Sequence, residues 1–154
     1  MIDMPLISPQ LSQLYETLAP FAYALLRVIV GLALVPHGLR NTAGCFPNPG
    51  LPTNLKERAA TLERSGYRPG RLWARAISVT ELVGGPLLAV GLFTRPVAVA
   101  ILIFLLVTDI ERWRVGRYFW DQLGMEYTLM WTIAAFYVLV QGGGVYSLDH
   151  WLGY

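Results

Sequence analysis

Charge is what this sequence has least of. Only 14% of its 154 residues are Asp, Glu, Lys or Arg, against about 25% in ordinary soluble domains. So few charges cannot cover a water-facing surface at this length, which excludes the usual soluble class and points to a membrane protein. Cysteine is nearly absent. Cys45 stands alone, so no internal disulfide and no C-x-x-C relay can form, and it reads as a small apolar loop residue. The two histidines, His37 and His150, are too few and too far apart for a metal site; no metal is expected. Phosphate-binding glycine loops, Ser-His-Asp arrangements, haem attachment motifs and internal repeats are also missing. The first 20 residues carry no Lys or Arg and no continuous apolar core, so the first apolar stretch is expected to act as its own insertion signal.

What is present is apolar, at 55% of residues, and it is gathered into four runs. They cover residues 20–39, 72–92, 94–110 and 125–140, close to the roughly 20 residues a helix needs to cross a bilayer. The expectation is an all-α fold: a four-transmembrane-helix bundle with short amphipathic interfacial helices, forming one integral membrane domain over residues 1–154. Gly91 and Pro96 bracket a tight turn between the second and third runs. The long first connection contains "NLKERAATLERSG", with Leu55, Ala59 and Leu62 on one face, Asn54 as cap and Gly66 as stop; it reads as a helix lying at the membrane surface. "SPQLSQLYETLAP" reads as a second such helix, with Ser8 as cap and Pro9 as its first residue.

Cations set the expected orientation. Arg40, Lys56, Arg58, Arg64, Arg68 and Arg71 lie in the first connection and Arg112, Arg114 and Arg117 in the third, while the second holds only Arg95. Positive-inside bias places both long connections in the cytoplasm and both termini outside. Trp73, Trp113, Tyr118 and Trp120 would form the inner aromatic belt, and Tyr15, Phe21, Phe93, Tyr146 and Trp151 the outer one. Basic residues beside lipid headgroups make nucleic acid an unsuitable partner.

The charges inside the runs are the candidate functional residues, because an unpaired charge in lipid costs several kcal/mol. Counted from Pro20 and Gly91 as outer ends, Arg27 and Glu81 differ in depth by about 5 Å. They are expected to form a structural intramembrane pair, with Gly31, Gly84 and Gly85 allowing close approach. His37, Arg75, Asp109 and Glu126, one per run, are expected to form a second polar cluster nearer the cytoplasm. Glu126 shares a helical face with Met130, Ile133 and Tyr137, and Asp109 shares one with Leu105 and Leu102; both faces are candidates for the bundle interior.

At these residues the chain resembles the DoxX family of small bacterial membrane proteins. "LLRVIVGLALVPHGLRN" is similar to the family's first span, "ELVGGPLLAVGLFTRPVA" to its Glu-x-x-Gly-Gly and Gly-Leu-x-Thr-Arg motif, and "GMEYTLMWTIAAFYVLVQGGGVYSLD" to its fourth span. "DIERWRVGRYFW" departs from it by lacking a His after the third span. The resemblance implies a four-helix membrane bundle in the bacterial inner (plasma) membrane. Relatives linked to redox complexes imply an integral subunit of a redox-associated, quinone-linked assembly. No intrinsic cofactor is expected. A bound quinone or lipid is, with the cluster of His37, Arg75, Asp109 and Glu126 meeting the quinone, Glu126 or Asp109 carrying its proton and His37 donating to a carbonyl oxygen. Membrane lipids and other membrane proteins, or further copies of the chain, are the expected partners. A non-catalytic accessory subunit and a small-solute or proton carrier are the competing readings.

Overall fold

A computed structural model describes residues 9–122 and 124–154; the cap expected at Ser8 lies outside them. The described residues contain helices and no strands. Helix α1 spans Pro9–Ala43, α2 Leu55–Arg64 and α3 Gly70–Val79. A π turn, Thr80–Gly84, joins α3 directly to α4, Gly85–Val90, so the three form one rod. Helix α5 spans Thr94–Arg114, α6 Met125–Gln141 and the short α7 Leu148–Leu152, with a 3-10 turn at Trp120–Gln122 before α6.

The N-terminal segment is not a separate surface helix, as its amphipathic pattern suggested. Helix α1 runs unbroken for 35 residues through Pro20 and Pro36, about 52 Å. Each proline removes one helical hydrogen bond, but apolar surroundings offer the backbone no better partner than the helix itself. Over Gln10–Ala43, α1 is the one helix among the described residues that is by itself long and apolar enough to cross a membrane. The other long segments fall short for local reasons. The rod is divided by its π turn, α6 has 17 residues, and the ends of α5 carry Arg95, Asp109, Glu111, Arg112 and Arg114.

Helix α2 forms where expected. Glu57 N–H donates to the Asn54 side chain at 3.0 Å. Tyr67 N–H donates to the Leu62 carbonyl and Gly66 N–H to that of Glu63, the paired bonds of a Schellman stop that the positive φ of Gly66 permits. The helix docks on the start of α3, where a side chain at Gly70 would collide with the Ala59 carbonyl.

Helix α1 packs on α4, and α5 packs on α6. A Cβ at Gly31 would strike the Gly85 carbonyl and the Ala89 amide, and one at Gly85 would strike the Gly31 carbonyl. The two backbones are therefore in direct contact, as small-residue helix interfaces allow; Gly84 makes no such approach. Val30, Leu34, Leu88, Ile101, Ala135 and Val138 fill the core. The outside is no less apolar. Ile29 and Leu32 on α1, Val79 and Val83 on the rod, Ile103 and Leu106 on α5, and Ile133 and Val140 on α6 are all exposed. Arg27, Asn41, Glu81 and Asp109 are buried. This is the reverse of a soluble domain's distribution.

Candidate functional site

The expected Arg27–Glu81 pair does not exist. Gly31 faces Gly85 and Ala89, while Gly38 faces Leu82 and Glu81. Glu81 is therefore level with Gly38, 11 residues along α1 from Arg27, or about 16 Å. The depth count failed because α1 continues past Pro20, so Pro20 does not mark an end level with Gly91.

Arg27 belongs to the end of the molecule that holds the α4–α5 turn. It donates to the carbonyls of Gly143, Tyr146 (2.7 Å) and Ala89 (3.4 Å), and Tyr23 donates to the Gly142 carbonyl beside it. The Gly142–Gly144 segment wraps over these groups with positive φ at Gly142 and Gly144. Asp149 then accepts from the Phe93 and Thr94 amides, both at 2.7 Å, at the start of α5. Burial pushes the Asp149 carboxyl up, but hydrogen bonds from Thr94 and the Phe93 amide, with the nearby Arg27 charge, outweigh it and hold the group below the usual carboxylate range. The layer is a clasp that closes the bundle.

Glu81 projects from the π turn at the opposite end and is 2% exposed. π turns often place side chains where a regular helix would not. One carboxylate oxygen accepts from the Asn41 amide nitrogen at 3.0 Å. The other faces the Arg58 guanidinium at 3.8 Å, so α2 reaches into the bundle with a charged side chain rather than only resting at its surface. One turn before Asn41, His37 is exposed at the edge of the centre and accepts at Nδ1 from the Arg40 guanidinium at 3.3 Å. The charges of Arg40, Arg58 and Arg112 all bear on His37, and Arg112 also faces Asp109. Asp109 accepts from the Thr132 hydroxyl at 2.6 Å.

Satisfaction of these groups is incomplete. Asn41 Oδ1, Asp109 Oδ1 and the Nε atoms of Arg40 and Arg58 are buried without hydrogen-bond partners among the described residues. Buried polar atoms normally find one. The centre thus keeps buried donors and acceptors that no group among the described residues satisfies.

Of the expected inner cluster, His37 and Asp109 lie at this centre and the other two do not. Helix α3 buries Gly70, Ala74 and Ser78, which turns Arg75 outward into an exposed position. Glu126 accepts from the Trp120 amide at 3.2 Å and so braces the turn before α6. The face it shares with Met130, Ile133 and Tyr137 is exposed; α6 instead buries Thr128, Thr132, Ala135 and Val138. The Leu105 side of α5 does face inward. Asn41, Arg58 and Arg112 were missed. Asn41 carried a signal, lying one helical turn beyond His37 on the same face.

The class of protein follows from this arrangement: an all-helical bundle, apolar outside and charged within. The DoxX family model matches residues 22–110, more than half of the chain, and the chain belongs to that family of membrane proteins. No curated protein and no solved structure gives a significant match.

Proposed function

We propose that this chain is a four-span subunit of a redox-associated complex in the bacterial inner membrane, and that its Glu81 centre meets a quinone headgroup. The spans would be α1, the rod, α5 and α6, each of which presents exposed apolar side chains. Nine cations lie in the two long connections on the Glu81 side, while the α4–α5 turn at the other end holds Arg95; positive-inside bias would put the Glu81 end in the cytoplasm and the C-terminus outside.

The observation that carries the reading is the buried carboxylate on a π turn, bonded to side chains yet surrounded by unpaired donors and acceptors. A quinone carbonyl gains negative charge on reduction and takes up protons. The guanidiniums of Arg58, Arg40 and Arg112 would stabilise that charge, Asn41 would orient the headgroup, and Glu81 or Asp109 would carry the protons. The sequence carries no redox-cofactor motif, so in this reading electrons would come from a partner protein.

Glu81→Gln keeps the shape and the bond from Asn41 but loses the proton. In the native complex it is expected to assemble normally and to slow quinone-linked turnover on the order of a hundredfold, with Asp109→Asn acting in the same direction. Unchanged turnover in both variants would sink the reading and leave that of a non-catalytic accessory subunit.

A further inference from the structure

Beside the Glu81 centre but separate from it, a groove of about 430 Å³ lies between α2 and α3. Leu55, Lys56, Ala59, Ala60 and Glu63 line it from α2, and Arg71, Ala74 and Arg75 from α3. Its one carboxylate is engaged, since Glu63 accepts from the Gly70 amide at 3.1 Å. None of its three cations, Lys56, Arg71 and Arg75, has a hydrogen-bond or ion-pair partner among the described residues. Three unpaired cations around a concave surface repel one another, and an anion seated among them relieves that repulsion.

We propose that this groove binds the phosphate of an anionic phospholipid. Two features favour a lipid over a free anion. Arg71, Arg75 and Val79 follow at four-residue spacing on one face of α3, with Leu72 beside them, and this line continues to Val83. Leu72, Val79 and Val83 are 63%, 58% and 52% exposed, an apolar track starting at the cations that suits an acyl chain and gives inorganic phosphate nothing. Trp73, packed edge-on against Tyr67 at 5.9 Å, sits at the same level, as aromatic residues do at the headgroup region. The phosphate would lie between Lys56 on one wall and the Arg71–Arg75 pair on the other, tying α2 to the rod from outside. The inference needs only a membrane protein, and it stands or falls independently of quinone chemistry.

Titration of the detergent-purified chain with phosphatidylglycerol, read by native mass spectrometry, tests it. One tightly retained lipid per chain is expected, with phosphatidylcholine held at least tenfold more weakly. The double variant Arg71→Gln/Arg75→Gln should weaken phosphatidylglycerol binding by tenfold or more. Lys56→Gln, on the exposed side of α2, should weaken it about threefold and provides the test if the double variant does not fold. Arg64→Gln/Arg68→Gln removes the same charge outside the groove and should change binding less than twofold. Equal losses in the two double variants would reduce the effect to diffuse surface attraction and overturn the site. So would equal retention of the two lipids. Displacement of phosphatidylglycerol by low-millimolar inorganic phosphate would overturn the lipid assignment in favour of a free-anion site.

Discussion

The two buried charged layers of this molecule solve the same problem in opposite ways. Arg27 is neutralised by backbone: its terminal nitrogens point at carbonyls of Ala89, Gly143 and Tyr146. Glu81 is held by side chains, Asn41 from α1 and Arg58 from α2, with unpaired polar atoms close by. Carbonyls of a folded chain have nowhere else to go, so the Arg27 layer is fixed. Side chains can rotate and exchange partners, so the Glu81 layer can respond to a ligand. Burial alone does not separate the two, because each residue is 2% exposed. What separates them is the kind of partner, since each layer also keeps buried polar atoms without one, Arg27 Nε and Thr94 Oγ1 in the first and Asn41 Oδ1 and Arg58 Nε in the second.

Replacing Arg27 should therefore have the largest effect on folding. Arg27→Met leaves three carbonyls without their donor, and removing the charged partner of a buried polar cluster costs roughly 3 to 5 kcal/mol, a loss expected in detergent-solubilised unfolding. Glu81→Gln, which keeps its bond from Asn41, should lose far less. Equal losses would erase the distinction between the layers. Gly31→Ala comes next. The new methyl meets backbone on both sides, so helices α1 and α4 must separate, at about 1 to 3 kcal/mol. A melting temperature unchanged from wild type would show that the interface gives way without cost.

The smallest effect is pH-dependent and sharpens the picture of the clasp. Asp149 has its carboxyl held below the usual range in the folded chain. Its stabilising contribution is therefore complete above the ordinary carboxyl pKa and fades as pH falls through the lowered folded value. The loss is about 1 kcal/mol, comparable to losing a helix cap. The protection of the Phe93 and Thr94 amides against hydrogen exchange, taken relative to the unstructured rate at each pH, should fall in that acid window and stay constant above it. In Asp149→Asn the window should disappear; if it persists, another group controls the clasp.

Much of this was legible in the sequence, but unevenly. The helical class, the family, the Asn54 cap, the Gly66 stop and the buried state of Glu81 each follow from a local pattern or from the cost of a lone charge. Arg27's partners were not legible, because two of the three are backbone carbonyls in a glycine-rich segment 116 residues or more away and the third is the Ala89 carbonyl, and a carbonyl leaves no mark in a sequence. Arg58 was hidden by its setting: a charged residue on an amphipathic helix reads as solvated until that helix is seen to turn inward. Arg75 and Glu126 were misplaced because similar depth was taken for proximity. A helix carries residues of one depth on every side, and only the packing of α3 and α6 decides which of them face in.

The π turn at Thr80–Gly84 has a consequence for chain length. In an unbroken helix Gly70, Ala74, Ser78, Glu81, Gly85 and Leu88 would fall within one stripe about 80° wide. The extra residue in the turn rotates everything after it by roughly 100°. The first half of the stripe is thereby spent on α2 and the second half on α1. Glu81 stands at the seam where the stripe changes neighbour. Deleting a single residue between Thr80 and Gly84 would straighten the rod and set α1 and α2 in competition for one face. The centre would come apart with every one of its side chains still present.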